Sequence, residues 1–243
     1  MPRRTQRRRA LSQNFLHDQS VIAEVIGTLH PPPGTLVVDL GAGAGALTRR
    51  LARTNRVLAV ELDPRWADHL RTHARAWGDV TVQRADALTV GFPRERFHLV
   101  SNAPYHVGTQ LVRRVLTDAH GLERGVFVLQ LETARRLAGD GRFAATWAPW
   151  FELRVHGRIP PRAFRPAPSV DSAVLTVVPR PVPLLSPAAF ADYDAFLARV
   201  FNGRGNTLAQ RVGDARALKR AAIPRDATPG SVPPEAFARL YGA

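Results

Sequence analysis

Leu36-Val37-Val38-Asp39-Leu40-Gly41-Ala42-Gly43-Ala44-Gly45 is the stretch that decides the fold. Leu36 to Leu40 has the length and apolar run of a buried strand, and Leu47 and Leu51 resume apolar spacing at a helical period. Strand, glycine turn and helix in that order let backbone approach a ligand and aim a helix N-terminus at it. A second strand, Val57 to Val60, ends in Glu61, twenty positions after Gly41, and Asp63 then caps a helix with Pro64 in its first position. An acid placed like Glu61 can hold both hydroxyls of a ribose. The unit therefore reads as the nucleoside-binding half of a doubly wound α/β fold.

Which nucleoside turns on Asp39. Gly41, Gly43 and Ala46 also satisfy the G-x-G-x-x-G/A pattern of dinucleotide folds. A carboxylate at the strand end is unhelpful near a pyrophosphate, but it suits a ligand bearing an amino group and a sulfonium, such as S-adenosylmethionine. A third strand around Val80 to Gln83 leads to Asp86, where an adenine amine can donate to it. The plainer alternative for Asp86 is a loop carboxylate or helix cap.

Further along, the apolar run Phe97 to Val100 is followed by Asn102-Ala103-Pro104-Tyr105. These four residues suit methylation of an exocyclic base amine, a poor nucleophile whose lone pair is delocalised into the ring. The Asn102 side-chain oxygen and the Ala103 carbonyl can accept its N–H groups while Tyr105 stacks on the base. An ordinary strand-end turn with a packed tyrosine is the alternative. Helical spacing returns through Leu111, Val112, Val115 and Leu116, and Val126 to Leu131, Phe151 to Val155 and Ala173 to Val178 complete a seven-stranded sheet. Between the last two lies Phe164-Arg165-Pro166-Ala167-Pro168, where Phe164 either clamps the second face of a base or anchors the loop in the core.

Outward from this centre, residues 1–10 carry Arg3, Arg4, Arg7, Arg8 and Arg9, a basic arm or a solvated tail. Gln13-Asn14-Phe15-Leu16 precedes a helix whose apolar face is Val21, Ile22, Val25, Ile26 and Leu29, capped by Asp18 or Ser20. The methyltransferase-type domain is assigned to residues 11–178, a proline-rich linker to 179–187 and a small basic helical domain to 188–243. The 243 residues carry a formal net charge of +14, with Lys219 the only lysine. Such an excess points to a polyanion, and arginine, which forks onto phosphate and stacks on bases, suits RNA. With no cysteine there are no disulfides or thiolate metal sites, and no metal is expected. No apolar run approaches the roughly 20 residues of a membrane span, and no signal core follows the arginines. A soluble, monomeric, cytoplasmic protein without a membrane partner is the expectation.

Taken in order, these motifs resemble those of the rRNA adenine N6-methyltransferases: the erythromycin-resistance (Erm) enzymes and the dimethyladenosine transferases of the small subunit. The resemblance spans essentially the whole chain and implies S-adenosylmethionine as cofactor and rRNA as partner. It places Gln13 and Asn14 beside the methionine part, Gly41 and Gly43 under the sulfur side, Glu61 on the ribose and Asp86 on the adenine. Leu16, Asp39, Leu62, Ala87 and Asn102 join the cofactor set. Asn102, the carbonyl of Ala103, Pro104, Tyr105 and Phe164 form the target-base site, and the arm with Arg135, Arg165 and Arg204 contacts RNA. His106 is read as incidental.

The arm, the segment Leu129-Gln130-Leu131-Glu132-Thr133-Ala134-Arg135-Arg136 and the short C-terminal domain favour the resistance branch. That branch modifies an adenine in the peptidyl-transferase loop of 23S rRNA and confers macrolide-type resistance. Val170-Asp171-Ser172-Ala173-Val174 resembles the 16S branch as much. A DNA adenine methyltransferase and a non-catalytic RNA-binding or ribosome-assembly factor are the remaining alternatives. Ala103 stands where the family usually has Ile or Leu, which bears on whether one or two methyl groups are added.

Overall fold

The computed structural model describes residues 14–102 and 104–242. Its centre is a seven-stranded sheet of β2 (Leu36–Leu40), β3 (Arg56–Glu61), β4 (Val80–Arg84), β5 (Phe97–Asn102), β6 (Leu122–Gln130), β7 (Phe151–Ile159) and β9 (Ser172–Pro179), in the order β4-β3-β2-β5-β6-β9-β7. The ladders from β4 across to β6 are parallel, and β6 pairs antiparallel with β9, Gly125 opposite Val177 and Gln130 opposite Ser172. The strand order reverses at β2: β3 and β4 lie on one side of it, β5 and β6 on the other. A crevice at the carboxyl ends of the strands on either side of such a reversal is where doubly wound folds hold ligands.

Helices cover both faces of the parallel part, and so Val37 to Leu40 are buried without alternation. The helix α1 (Gln19–Leu29) begins where the Asp18 carboxylate accepts from the amides of Ser20 and Val21, and it buries Val21, Ile22, Val25 and Leu29. His30 in a left-handed conformation, with three prolines behind it, ends the helix. The turn after β2 feeds α2 (Ala46–Leu51), and Asp63 with Pro64 starts α3 (Pro64–Trp77) as their spacing predicts. The helix α4 (Gly108–Asp118) follows β5, and α5 (Leu131–Ala138) follows β6. Each apolar side chain fully buried in this layer contributes about 1.5–3 kcal/mol.

A two-residue ladder, unanticipated from sequence, joins β1 (Phe15–Leu16) to β8 (Phe164–Arg165), with Leu16 opposite Phe164. It draws together two segments almost 150 residues apart in the chain.

By packing, the chain divides into two units. One holds the described residues up to Ala134 together with Val155–Val178, and the other holds Arg135–Arg154 with the residues from Pro179 onward. Arg135–Arg154 is thus a departure from the sequence expectation, which kept it in the first domain. In the second unit α6 (Arg142–Trp147), α7 (Phe190–Asn202), α8 (Leu208–Val212), α9 (Ala215–Arg220) and α10 (Pro234–Tyr241) surround a core of Tyr193, Leu197, Leu218 and Phe237. Tyr193 donates its hydroxyl to the Ala145 carbonyl at 2.9 Å, which holds α6 to α7. The stretch 179–187, expected as a linker, is fastened down. Arg180 donates to the Ala148 carbonyl at 2.7 Å and pairs with Glu235 at 2.8 Å, and the Trp150 indole donates to the Leu185 carbonyl at 3.0 Å.

Candidate active site

The crevice at the β2/β5 reversal opens into a pocket built wholly within the first unit. Its floor is the glycine turn. Gly41, Gly43 and Gly45 have φ of 73°, 54° and 82°, a left-handed region in which a side chain is strained. The amides of Gly41 and Ala42 donate to the Val60 carbonyl at 2.8 and 3.0 Å, and so the turn is tied to the end of β3. A Cβ on Gly41 would meet nothing within 4 Å, whereas one on Gly43 would lie 2.9 Å from Cε1 of Phe15. Phe15 therefore roofs the turn, and its ring leans on Trp66 with centroids 4.9 Å apart.

Four carboxylates line this cavity: Asp63, the cap of α3, with Glu61, Asp39 and Asp86. Glu61, buried at the end of β3, accepts from the Gly43 amide at 2.7 Å through one oxygen and from the Asp63 amide at 2.8 Å through the other. Asp39, 2% exposed, accepts from the Thr48 hydroxyl at 2.6 Å. Burial pushes the Asp39 carboxyl up to about 7, the nearby Glu61 charge adds to the rise, and the Thr48 hydrogen bonds oppose it. Asp86 accepts from the Leu88 amide at 2.8 Å and so shapes the loop after β4. That loop is held from behind by Arg114 of α4, which donates to the carbonyls of Ala87 and Val90 and lies over the Phe92 ring, 4.4 Å from its centroid.

At the other end of the pocket stands Asn102, the last residue of β5. Its Nδ2 donates to the Asn14 carbonyl at 2.9 Å, an orientation that leaves Oδ1 as the free acceptor. Pro104 and Tyr105 follow on the wall. The Tyr105 hydroxyl lies 2.6 Å from the Ser172 hydroxyl, and burial raises the phenol above its ordinary range while that hydrogen bond lowers it. Ser172 is fully buried on β9, so the tyrosine ring is fixed at its far end.

Among the described residues, those lining the pocket include Asp39, Glu61, Asp63 and Asp86 but no arginine or lysine. A dinucleotide pyrophosphate would find no counter-charge here. A nucleoside carrying a sulfonium and an ammonium group would, and this donor set fits S-adenosylmethionine. The family described as "Ribosomal RNA adenine dimethylase" matches residues 4–241. The chain belongs to that family.

Within it, the chain is 38% identical over 253 residues to an rRNA adenine N-6-methyltransferase of Streptomyces fradiae, a match covering 96% of this chain and 77% of that one. It is 39% identical over 213 residues to the mycinamicin-resistance protein MyrB of Micromonospora griseorubida, covering 83% of this chain and 65% of that protein. The crystal structure of the 23S rRNA methyltransferase ErmE aligns with a TM-score of 0.85 at 33% identity, over 94% of this chain and 98% of that one.

Of the residues assigned from sequence, Asn14, Leu16, Asp39, Gly41, Gly43, Glu61, Leu62, Asp86, Ala87, Asn102, Pro104 and Tyr105 all line the one pocket. Phe164 does not, and its role as a second clamp on the base is corrected. It is 1% exposed and packs in the core with Leu16, Ala163 and Val174, because the β1–β8 ladder turns its ring inward. Gln13, Ala103 and the arm arginines Arg3, Arg4, Arg7, Arg8 and Arg9 lie outside the described residues. Arg135, Arg165 and Arg204 are exposed, none on the pocket wall. Phe15, Arg114 and Ser172 were missed. Phe15 carries a signal in retrospect, an aromatic beside the amides of Gln13 and Asn14; the other two act through backbone and hydroxyl contacts that no local pattern announces.

Proposed function

We propose that this chain transfers a methyl group from S-adenosylmethionine to the exocyclic N6 of a specific adenine in the peptidyl-transferase loop of 23S rRNA, and so protects the ribosome against macrolide-type antibiotics. The observation that carries the reading is the polarity of the pocket, with carboxylates at the glycine-turn end and a free amide oxygen beside an aromatic ring at the other. Likeness to ErmE and MyrB supports the 23S branch and the resistance role.

S-adenosylmethionine, when bound, supplies an electrophilic methyl group carried on a sulfonium. Glu61 and Asp86 would hold its ribose and adenine, and Asp39 sits at the end of the pocket that suits its cationic part. The target adenine would be flipped from its stack, since its N6 is unreachable in a helix. Asn102 would accept a hydrogen bond from N6–H through Oδ1 and orient the amine's lone pair towards the methyl group, the amine's proton passing to solvent after transfer, while Tyr105 would offer its face to the base. No side chain need act as a strong base. All of these residues come from one unit of one chain, which supports a monomer as the working form. No helix among the described residues is long and apolar enough to cross a membrane.

Primer extension on 16S and 23S rRNA, from cells with and without the protein, tests the assignment. A new stop in the 23S peptidyl-transferase loop is expected. Modification of 16S rRNA alone would move the chain to the small-subunit branch, and no modification of either would sink the reading. Asn102→Ala should lower methyl transfer by about 100- to 1,000-fold, with cofactor binding measured separately.

A further inference from the structure

Behind the wall formed by Leu16, Ala44 and Ala46 lies a second cavity of about 380 Å³, within the size range of sites for small organic ligands. Its cationic side comes from Arg49 and Arg50 in the last turn of α2 and Arg53 in the turn that follows, all three exposed. Facing them, His69, His73 and Trp77 recur every four residues along α3 as a ladder of rings, the two imidazoles tilted at 40° and His73 stacked on Trp77. The two imidazole centroids are 4.3 Å apart, and His73 lies 5.5 Å from the indole at an interplanar angle of 23°. Among the described residues, no aspartate or glutamate lines the cavity and none of the three arginines has an ion pair. Apart from Leu16, no residue assigned to the cofactor or the target base takes part.

Three guanidinium groups within five positions repel one another, and no described residue lining the cavity supplies an anion between them. Guanidinium forks match phosphate oxygens, and flat rings accept a stacked base. An acidic peptide would satisfy the arginines but leave the imidazole–indole ladder without a flat partner. We propose that this cavity binds the phosphodiester backbone of a single-stranded rRNA segment, one base lying against the His73–Trp77 ladder. If the chain methylates rRNA as proposed above, this is a second RNA contact, behind the cofactor wall and separate from the base pocket. It would hold flanking RNA while Tyr105 and Asn102 hold the target.

The test is nitrocellulose binding of unmodified 23S rRNA to the full chain and to the triple variant Arg49→Ala/Arg50→Ala/Arg53→Ala over a range of salt. Three phosphate contacts to single-stranded RNA predict that the log–log salt slope becomes shallower by about 2 in the variant. Between about 50 and about 200 mM salt, wild-type affinity should then fall by roughly 20-fold more than the variant's. Cofactor affinity by equilibrium dialysis should stay at the wild-type value, which shows the variant is folded, and the triple lysine variant should keep the wild-type slope. Equal slopes for wild type and alanine variant would overturn the inference, as would competition by polyglutamate as strong as by polyuridylate. A wild-type chain that methylates no rRNA would instead sink the proposed function, and the slope comparison would still decide whether the cavity takes RNA.

Discussion

Asp39→Asn should make the cofactor-free protein more resistant to unfolding as pH rises. Asp39 is 2% exposed, and its carboxyl is lifted from an ordinary 3.8 to about 7, first by burial and then by the neighbouring Glu61. Between those values the folded chain keeps a proton that the unfolded chain has lost. The sign follows from the raised value: stability is intact below about pH 4 and is lost progressively as pH rises through about 7. The gap is worth about 4 kcal/mol at full extent, gained by the unfolded state at roughly 1.4 kcal/mol per pH unit. Asparagine keeps the shape and an oxygen for the Thr48 hydroxyl, now 2.6 Å from the carboxylate, but cannot ionise. Urea unfolding of wild type and variant across this range reads the difference directly. The variant's advantage should grow with pH and level off above about 7. A difference that does not change with pH would refute the assignment of Asp39 as a buried, protonated carboxyl. The same group predicts proton release on cofactor binding, since a nearby cation favours the carboxylate. Calorimetry in two buffers of unlike ionisation enthalpy should detect it in wild type and not in Asp39→Asn.

Gly43→Ala puts a Cβ 2.9 Å from Phe15 at a φ of 54°, and the backbone conformation alone should lower stability by about 1–2 kcal/mol in urea. Gly41→Ala, with nothing within 4 Å of the new Cβ, should show the backbone effect without the clash. Arg114→Met retains bulk but leaves the Ala87 and Val90 carbonyls without their donors, at about 1–3 kcal/mol for each group left buried and unpaired. It should weaken cofactor binding and speed amide exchange across 86–90 while leaving RNA affinity at the wild-type value. Ser172→Ala frees the Tyr105 hydroxyl from its partner at 2.6 Å and should reduce turnover on rRNA by about tenfold. In the same background Tyr105→Phe should add little further loss, because the two hydroxyls act as one pair.

The first half of the sheet could be read from sequence because each of its signals is local. The apolar run of β2, the three glycines at positive φ and the Asp63-Pro64 start of α3 each declare an element within ten residues. The β1–β8 ladder declares nothing, since a strand of two residues has no period and its partner lies almost 150 positions away. The placement of Phe164 depends on that ladder, and so an aromatic on a stiff basic loop could be read equally as a clamp or as an anchor. The reach of the second unit was hidden for a related reason. The composition changes at Pro179, but α6 is held by residues far down the chain, through Arg142 to Asp194 at 3.0 Å and the Ala145 carbonyl to Tyr193 at 2.9 Å.

Glu61 shows how a residue found by spacing can be only half understood from it. Its position twenty residues after Gly41 suggests an acceptor for ribose hydroxyls, and it lies on the pocket wall. Yet both of its oxygens already accept backbone amides, from Gly43 within the glycine turn and from Asp63 at the start of α3. The carboxylate therefore organises the floor of the pocket before any ligand arrives, and each oxygen retains a lone pair for a hydroxyl. Asn102 has the same double character. Its Nδ2 holds the segment leading into β1 through the Asn14 carbonyl, and this bond aims Oδ1 at the base site. The groups proposed to meet the ligands are also those that tie β2, β3 and β5 to their neighbouring segments. Pre-organisation of this pocket is thus a property of the functional side chains themselves, and loss of activity on substituting Glu61 or Asn102 measures a lost contact together with a displaced wall.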